Sequence, residues 1–330
     1  MGVRHARALK ALGVRLSAVC DTREEAREKA RVEFPGLRAF DSVPAFVEAI
    51  ADKVDIVCVV TNTPSRAAIL RQLVAAGTRR VLTEKPFTTN VADAHALTKA
   101  YDQAGAMLTV NTFRHFCDNH LRLREILRSG EIGDLRFFCI QSASTGLGNM
   151  GSVFFDVMNF YLESRPVDVA GHIDRTGTPN PRGPQYRDPG GFGMVRYANG
   201  ARGFLDTSED TGIPYSFHIV TTFGRIFIDE IFGNWHISQR NQQDRQRPLT
   251  HYLCPLADRP FPLTHGYDPV EMTGFTIRSM LEGRREAHNA RSAVTVMEMI
   301  MAMHISDANG GQPVALPLAR EHHSFDLPFA

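Results

Sequence analysis

Residues 54–64 read VDIVCVVTNTP and residues 80–86 read RVLTEKP, and these two stretches decide the fold. Val54–Val60 is almost continuously apolar, where a strand with one wet face would alternate. It therefore predicts a parallel strand covered on both faces. Thr61-Asn-Thr-Pro then turns into a helix over Ala67–Ala76, which Gly77 stops. Arg80–Thr83 begins another strand that ends at Glu84-Lys85-Pro86. A helix over Val91–Gln103 and a strand over Met107–Phe113 follow. Upstream, Val14–Cys20 reads as a strand closed by Asp21. Thr22 is a candidate N-cap there, and Glu24 and Glu25 suit the positive end of a helix. Strands alternating with helices of this length mean βαβ units and a parallel sheet.

The pattern changes near residue 130. Leu135–Ala143 is a long strand without a crossover helix soon after it, and one helix covers Val153–Leu162. The β-like segments Val167–Asp174, Gly193–Tyr197, Arg202–Thr207, Ser216–Thr222, Arg225–Asp229 and Trp235–Ser238 follow, with a hairpin turn at Ala198-Asn199-Gly200. Helices return at Pro269–Leu281 and Ala290–Asp307. Asn180–Gly191 is too rich in Pro and Gly for regular structure and is read as a functional loop. The expected fold class is thus α/β followed by α+β. A Rossmann-type doubly wound parallel sheet spans residues 1–113, and residues 114–330 form a domain with a large open, mixed but mostly antiparallel sheet.

Composition narrows the function. Lys+Arg 37 against Asp+Glu 36 leaves a net charge of +1, so no global charge favours nucleic acid or a membrane surface as partner. No apolar run approaches the ~18 residues of a bilayer span, and MGVRHARALKALG lacks the apolar core of a secretory signal. Cys20, Cys58, Cys117, Cys139 and Cys254 are widely spaced, with no C-x-x-C. Reduced thiols in a cytoplasmic protein fit that spacing better than a disulfide framework or a metal site.

Two residues carry chemistry on their own position. Asp21 closes a strand about twenty residues in, where an acidic side chain in a dinucleotide-binding unit accepts from the adenosine ribose hydroxyls and repels a 2′-phosphate. This favours NAD, while the nearby Arg23 keeps NADP open. Lys85 is delivered by a strand to the mouth of the sheet, where ligands of such sheets bind and where its ammonium would donate to a reacting oxygen. Gly2 stands as the last glycine of a G-x-G-x-x-G fingerprint whose first two glycines and preceding strand are not in the sequence. That strand is central in a doubly wound sheet. At ~1 kcal/mol per hydrogen bond its loss would rival the ~5–15 kcal/mol stability of a domain. The expectation is a natural chain that begins upstream of Met1.

Together these residues resemble the Gfo/Idh/MocA oxidoreductases, NAD(P)-dependent enzymes acting mostly on sugars, inositols and related polyols. Gly2…His5-Ala6-Arg7-Ala8-Leu9 is similar to that family's opening helix, Asp21 to its ribose carboxylate and Thr61-Asn62-Thr63-Pro64 to its third-strand cofactor turn. Glu84-Lys85-Pro86 matches its signature. Asn111…Arg114 resembles the strand into the second domain, Gly130-Glu-Ile-Gly133 the entry to the large sheet, and Pro313–Leu318 the C-terminal end. The resemblance implies cofactor contacts at Gly2, His5, Asp21, Thr61, Asn62, Pro64, Glu84, Lys85 and Asn111, with Lys85 and Asp156 catalytic. It implies a sugar-like substrate held by Arg114, Asn149, Asp156 and the 180–191 loop, between the two domains. It also implies a homodimer or homotetramer built on the open face of the second sheet.

Two positions depart from the family. Its D/N-x-G-x-H-x-x-D segment reads Asn149-Met-Gly-Ser-Val-Phe-Phe-Asp156, so Val153 stands where the proton-transfer histidine is usual. Arg66 stands where a histidine is common in the third-strand turn. A catalytically impaired homologue that binds nucleotide or sugar and acts by interaction is therefore the alternative function. His115 and His172 are read as structural or solvated groups, Glu321-His-His323 as no metal site by its spacing, and Met297, Met299, Met301 and Met303 as core.

Overall fold

Short parallel strands, each followed by a helix, build the N-terminal part as its apolar runs demand. In order they are α1 (Gly2–Ala11), β1 (Ala18–Cys20), α2 (Glu24–Glu33), β2 (Arg38–Phe40), α3 (Val43–Ile50), β3 (Val57–Val59), α4 (Thr63–Ala75), β4 (Arg80–Thr83), α5 (Val91–Ala104) and β5 (Met107–Val110). The chain continues through α6 (Asp118–Arg128), β6 (Leu135–Gln141), α7 (Ser152–Leu162), β7 (Pro166–Ile173), β8 (Gly191–Tyr197), β9 (Arg202–Asp206) and β10 (Ser216–Thr221). It ends with β11 (Gly224–Asp229), β12 (Asn234–Arg240), β13 (Leu256–Pro260), α8 (Pro269–Leu281), α9 (Ala290–Ala308) and β14 (Val314–Ala315). This is a computed structural model, which describes residues 1–50, 53–143, 146–177, 179–180 and 182–329.

The chain divides into two units: Met1–Phe116 with Asp268–Val294, and Cys117–Tyr267 with Thr295–Ala330. The sequence reading assigned all of 114–330 to one domain, whereas the segment 268–294 packs with the N-terminal strands. Hydrogen bonding explains why. β5 is the outer strand of its sheet, and its free edge is closed by side chains. Asn289 accepts from Val110 N (2.7 Å) and donates to Val110 O (2.9 Å), and His288 Nδ1 accepts from Leu108 N (3.0 Å). Such groups cover an edge that would otherwise template pairing with another chain. α8, capped by Asp268 and started by Pro269, buries Ile277 and Met280 with Ala8 and Leu9 of α1, Leu82 of β4 and Phe116.

The parallel strands of the first unit fall into two sheets, β1–β2 and β3–β4–β5. Among the described residues no strand pairs with both. α2 begins at Glu24 with Arg23 at its N-cap, so Thr22 does not serve as the cap expected of it.

The second unit carries a nine-stranded sheet of order β13-β12-β11-β10-β6-β9-β8-β7-β14, in which every pairing is antiparallel except β6–β9. Its strands alternate: Val195, Tyr197, Phe217, Ile219, Ile226 and Ile228 are buried, whereas Phe192, Met194 and Val220 on the opposite face are exposed. α7 covers the buried face. Phe154 meets Tyr215 and Phe217 edge-on, and Gly203 has no room for a side chain because a Cβ there would lie 2.8 Å from Met158 Sδ. Met297, Met299, Met301 and Met303 are all buried, as the core reading of that stripe requires. No helix among the described residues is long and apolar enough to cross a membrane.

Candidate active site

In the first unit the carboxyl ends of three parallel strands come level, Val59 with Thr83 and Thr83 with Val110. The ladder continues one step past them, as Glu84 N donates to Val59 O (3.1 Å) and Asn111 N to Thr83 O (2.8 Å). The Thr61 turn, Glu84-Lys85-Pro86 and Asn111 therefore stand at one end of one sheet, where such sheets bind ligands.

A buried charge cluster lies beneath that edge. His5, which α1 supplies, has its Nε2 2.6 Å from Glu84 Oε1, and Asn111 Nδ2 donates to the same oxygen at 2.9 Å. His5, Glu84 and Asn111 are 1%, 5% and 5% exposed. Burial opposes a charge on His5, but the Cys58 thiol and the Glu84 carboxylate outweigh it and hold the imidazole up at about 9. Burial likewise opposes the carboxylate, and His5 and Asn111 outweigh it and hold Glu84 down at about 2. The cluster is an imidazolium–carboxylate pair, formed by residues that are far apart in the chain.

The pair makes stability depend on pH. The His5 contribution is complete below its ordinary 6.5 and lost as pH rises through about 9. The Glu84 contribution is present above its ordinary 4.5 and lost as pH falls through about 2. Glu84→Gln is expected to lower stability at pH 6 by about 2–3 kcal/mol. That is below the ~3–5 kcal/mol for breaking a buried pair, because an imidazole can shed its proton. The substitution should also flatten the decline between pH 6.5 and 9. Urea melts across that range read both effects, and an unchanged slope would remove the pair from the stability of this unit.

Lys85 is half-buried, and the Lys85–Pro86 peptide is cis. Arg66, the departure from the family turn, is 2% exposed. Its guanidinium donates to Pro86 O and to Thr61 O (2.7 Å), tying the third-strand turn to the signature loop. Its position in the sequence marked only a mismatch. Its role is set by a residue twenty positions away. Thr61, Asn62 and Pro64 are exposed at the turn, and Gly2 is exposed at the start of α1. Arg114 is buried within a tight helical turn, Phe113–Phe116, which cuts the expected strand short at Val110.

Asp21 lies at the carboxyl end of β1, where Arg23 holds it through its backbone N (2.9 Å), Nε (3.2 Å) and Nη2 (3.3 Å). Burial raises its pKa, but these hydrogen bonds outweigh that and keep it below the ordinary range. The carboxylate is ionised and turned toward a cation that neutralises part of its repulsion for a 2′-phosphate.

The remaining expected residues belong to the second unit. A wide helical turn, Leu147–Gly151, leads into α7 and carries Asn149, with Val153 and Asp156 on α7. Val153 and Asp156 are three apart and share a face. They are 9% and 5% exposed. Asp188, in the 180–191 loop, accepts from the backbone N of Gly148 and of Asn149. The sequence singled out that loop but not this residue.

The sequence model of the Gfo/Idh/MocA family, described as "Oxidoreductase family, NAD-binding Rossmann fold", matches residues 1–112. The chain is 25% identical over 264 residues to the myo-inositol 2-dehydrogenase of Thermotoga maritima, covering 74% of this chain and 77% of that protein. It is 31% identical over 131 residues to the inositol 2-dehydrogenase of Mycolicibacterium gilvum, covering 39% and 36%. The solved structure of a levoglucosan dehydrogenase in complex with NADH and levoglucosan shares the fold, with a TM-score of 0.81, 16% sequence identity and 96% of each chain covered. With the strand-end lysine, the buried His5–Glu84 pair and the nine-stranded sheet in place, residues 1–112 match the NAD-binding Rossmann fold of the Gfo/Idh/MocA oxidoreductases, and these likenesses support that family for the chain.

Proposed function

We propose that the chain transfers a hydride between a nicotinamide cofactor, NAD in preference to NADP, and a secondary alcohol or carbonyl of a sugar, inositol or similar polyol. The observation that carries this reading is the end of β4. Glu84 is locked below by His5 and Asn111, and Pro86 is held by Arg66, so Lys85 between them is placed by both neighbours. The residues fit a nicotinamide dinucleotide. An ionised carboxylate stands at the end of β1, and the buried Asn111 Oδ1 and Thr83 Oγ1 lack hydrogen-bond partners at the ends of β5 and β4. Bound there, NAD supplies the hydride acceptor. Lys85 hydrogen-bonds the reacting oxygen, Arg114 and Asn149 contact the substrate, and Asp156 orients it or takes its proton. Reduction of NAD across a polyol panel, with myo-inositol first, tests the reading. A panel without turnover refutes it.

Val153 favours the second reading, a homologue that binds nucleotide or sugar without efficient turnover. Retained NAD binding with no polyol-dependent reduction is its expected signature. On either reading the exposed Phe192, Met194 and Val220 are covered by another copy in a homodimer or homotetramer, and the protein resides in the cytoplasm.

Cofactor choice gives a separate expected result. Asp21→Ala should narrow the preference for NAD over NADP by ~1–3 kcal/mol, the scale of charge-assisted hydrogen bonds to a ribose. Fluorescence titration with both cofactors measures it. Equal affinities in the unmodified protein would take Asp21 out of the site.

A further inference from the structure

We propose that Asp188 and Phe329 are positioning residues for the helix that carries Asn149, Val153 and Asp156. The role rests on the dehydrogenase reading above. A helix start leaves backbone N–H groups without partners, and a nearby side chain usually caps them. The turn at Leu147–Gly151 starts at Gly146 with no side-chain cap of its own. The cap comes instead from a distant loop. Asp188 uses both carboxylate oxygens, Oδ1 for Gly148 N (2.6 Å) and Oδ2 for Asn149 N (2.8 Å). Two donors on one carboxylate fix an orientation as well as a distance.

The loop is itself anchored at two points. Pro189 O accepts from Leu147 N (2.9 Å), which adds a third bond to the same turn, and Arg187 N donates to Pro328 O (2.9 Å). The second bond brings in the C-terminal segment, whose Leu327 and Phe329 are 3% and 1% exposed. The Phe329 ring lies against Gly148 so closely that a Cβ there would come within 2.5 Å of it. Gly146 is needed for two reasons. Its φ is +91°, and a Cβ would run into Asp188. Three separated pieces of chain therefore meet at the first turn of the helix, and Asn149 is bonded to this clamp through its own backbone. An error of about 1 Å in a substrate-positioning group costs on the order of 10²-fold in rate. The clamp sets where Asn149, Val153 and Asp156 stand.

Kinetics with myo-inositol and NAD, together with hydrogen exchange at the Gly148 and Asn149 amides, test this. Asp188→Ala and Phe329→Ala should each lower kcat/KM for myo-inositol by ~10–100-fold. The NAD dissociation constant should stay within about twofold. Asp188→Asn, which keeps one acceptor oxygen, should recover part of the loss and guards against a variant that simply misfolds. Exchange at both amides should accelerate in Asp188→Ala. Gly148→Ala should be impaired, and adding Phe329→Ala should relieve it rather than add to it. A folded Asp188→Ala protein with wild-type kcat/KM, or with unaltered exchange at both amides, overturns the proposal. If the unmodified protein oxidises no polyol, the dehydrogenase reading fails and exchange alone decides the clamp. Acceleration in Asp188→Ala with unaltered NAD binding upholds it, and no acceleration ends it.

Discussion

Lys85→Ala is expected to lower NAD-dependent turnover of a polyol or sugar substrate by ~10²–10⁴-fold, the range for removing a general acid–base group. The residue sits half-buried between two fixed neighbours: Glu84 is held by His5 and Asn111, and the Pro86 carbonyl by Arg66. Alanine removes the ammonium, one of the charges that favour the Glu84 carboxylate, and leaves the hydrogen bonds from His5, Asn111 and Arg66 in place, so the unit should still fold. The loss should fall on kcat and kcat/KM together, because the hydrogen bond to the reacting oxygen strengthens as charge develops there. Lys85→Arg should recover little, since a planar guanidinium does not place a proton where an ammonium does. A rise in KM alone would mean that Lys85 only binds substrate. An unchanged kcat would remove it from the chemistry.

Val153→His is expected to act in the opposite direction, raising turnover by up to ~10²–10⁴-fold by supplying a proton-transfer group. Val153 is 9% exposed and shares a helix face with Asp156. Imidazole is larger than the valine side chain, so the gain should come with a stability loss of ~1–3 kcal/mol from overpacking. The pH profile should also change, acquiring a limb with an apparent pKa in the histidine range. Adding Lys85→Ala should erase the gain if both residues serve one step. A native rate already typical of enzymes, and unmoved by the histidine, would pass the proton-transfer role to Asp156. Bound NAD without turnover in either protein would favour the interaction reading.

Much of this protein follows from its sequence alone. The apolar run at Val54–Val60 and the strand ending in Lys85-Pro86 required parallel β/α units, because only a strand covered on both faces dispenses with alternation. The alternating segments after residue 190 required a sheet with one packed face, and β8 has it, with Val195 and Tyr197 inside and Phe192 and Met194 outside. The helix expected at about Pro269–Leu281 is found there, capped by Asp268 and started by Pro269. Val153 was likewise visible as a departure from a pattern. These are local signals, written in neighbouring side chains.

Tertiary structure decided what depends on partners far apart in the chain. β2, β13 and β14 are three, five and two residues long, too short for a periodicity of their own, and pairing defines them, whereas α3 and α6 do carry apolar residues at helical spacing. The return of 268–294 to the first unit depends on Asn289 and His288 meeting the free edge of β5, 179 and 180 positions away. His5 and Glu84 lie 79 positions apart, and their opposed pKa shifts arise only when burial brings an imidazole to 2.6 Å from a carboxylate. Asp188 and Phe329 carried no motif at all, because the backbone amides and the glycine that they meet acquire their direction and their space only when the helix start has folded.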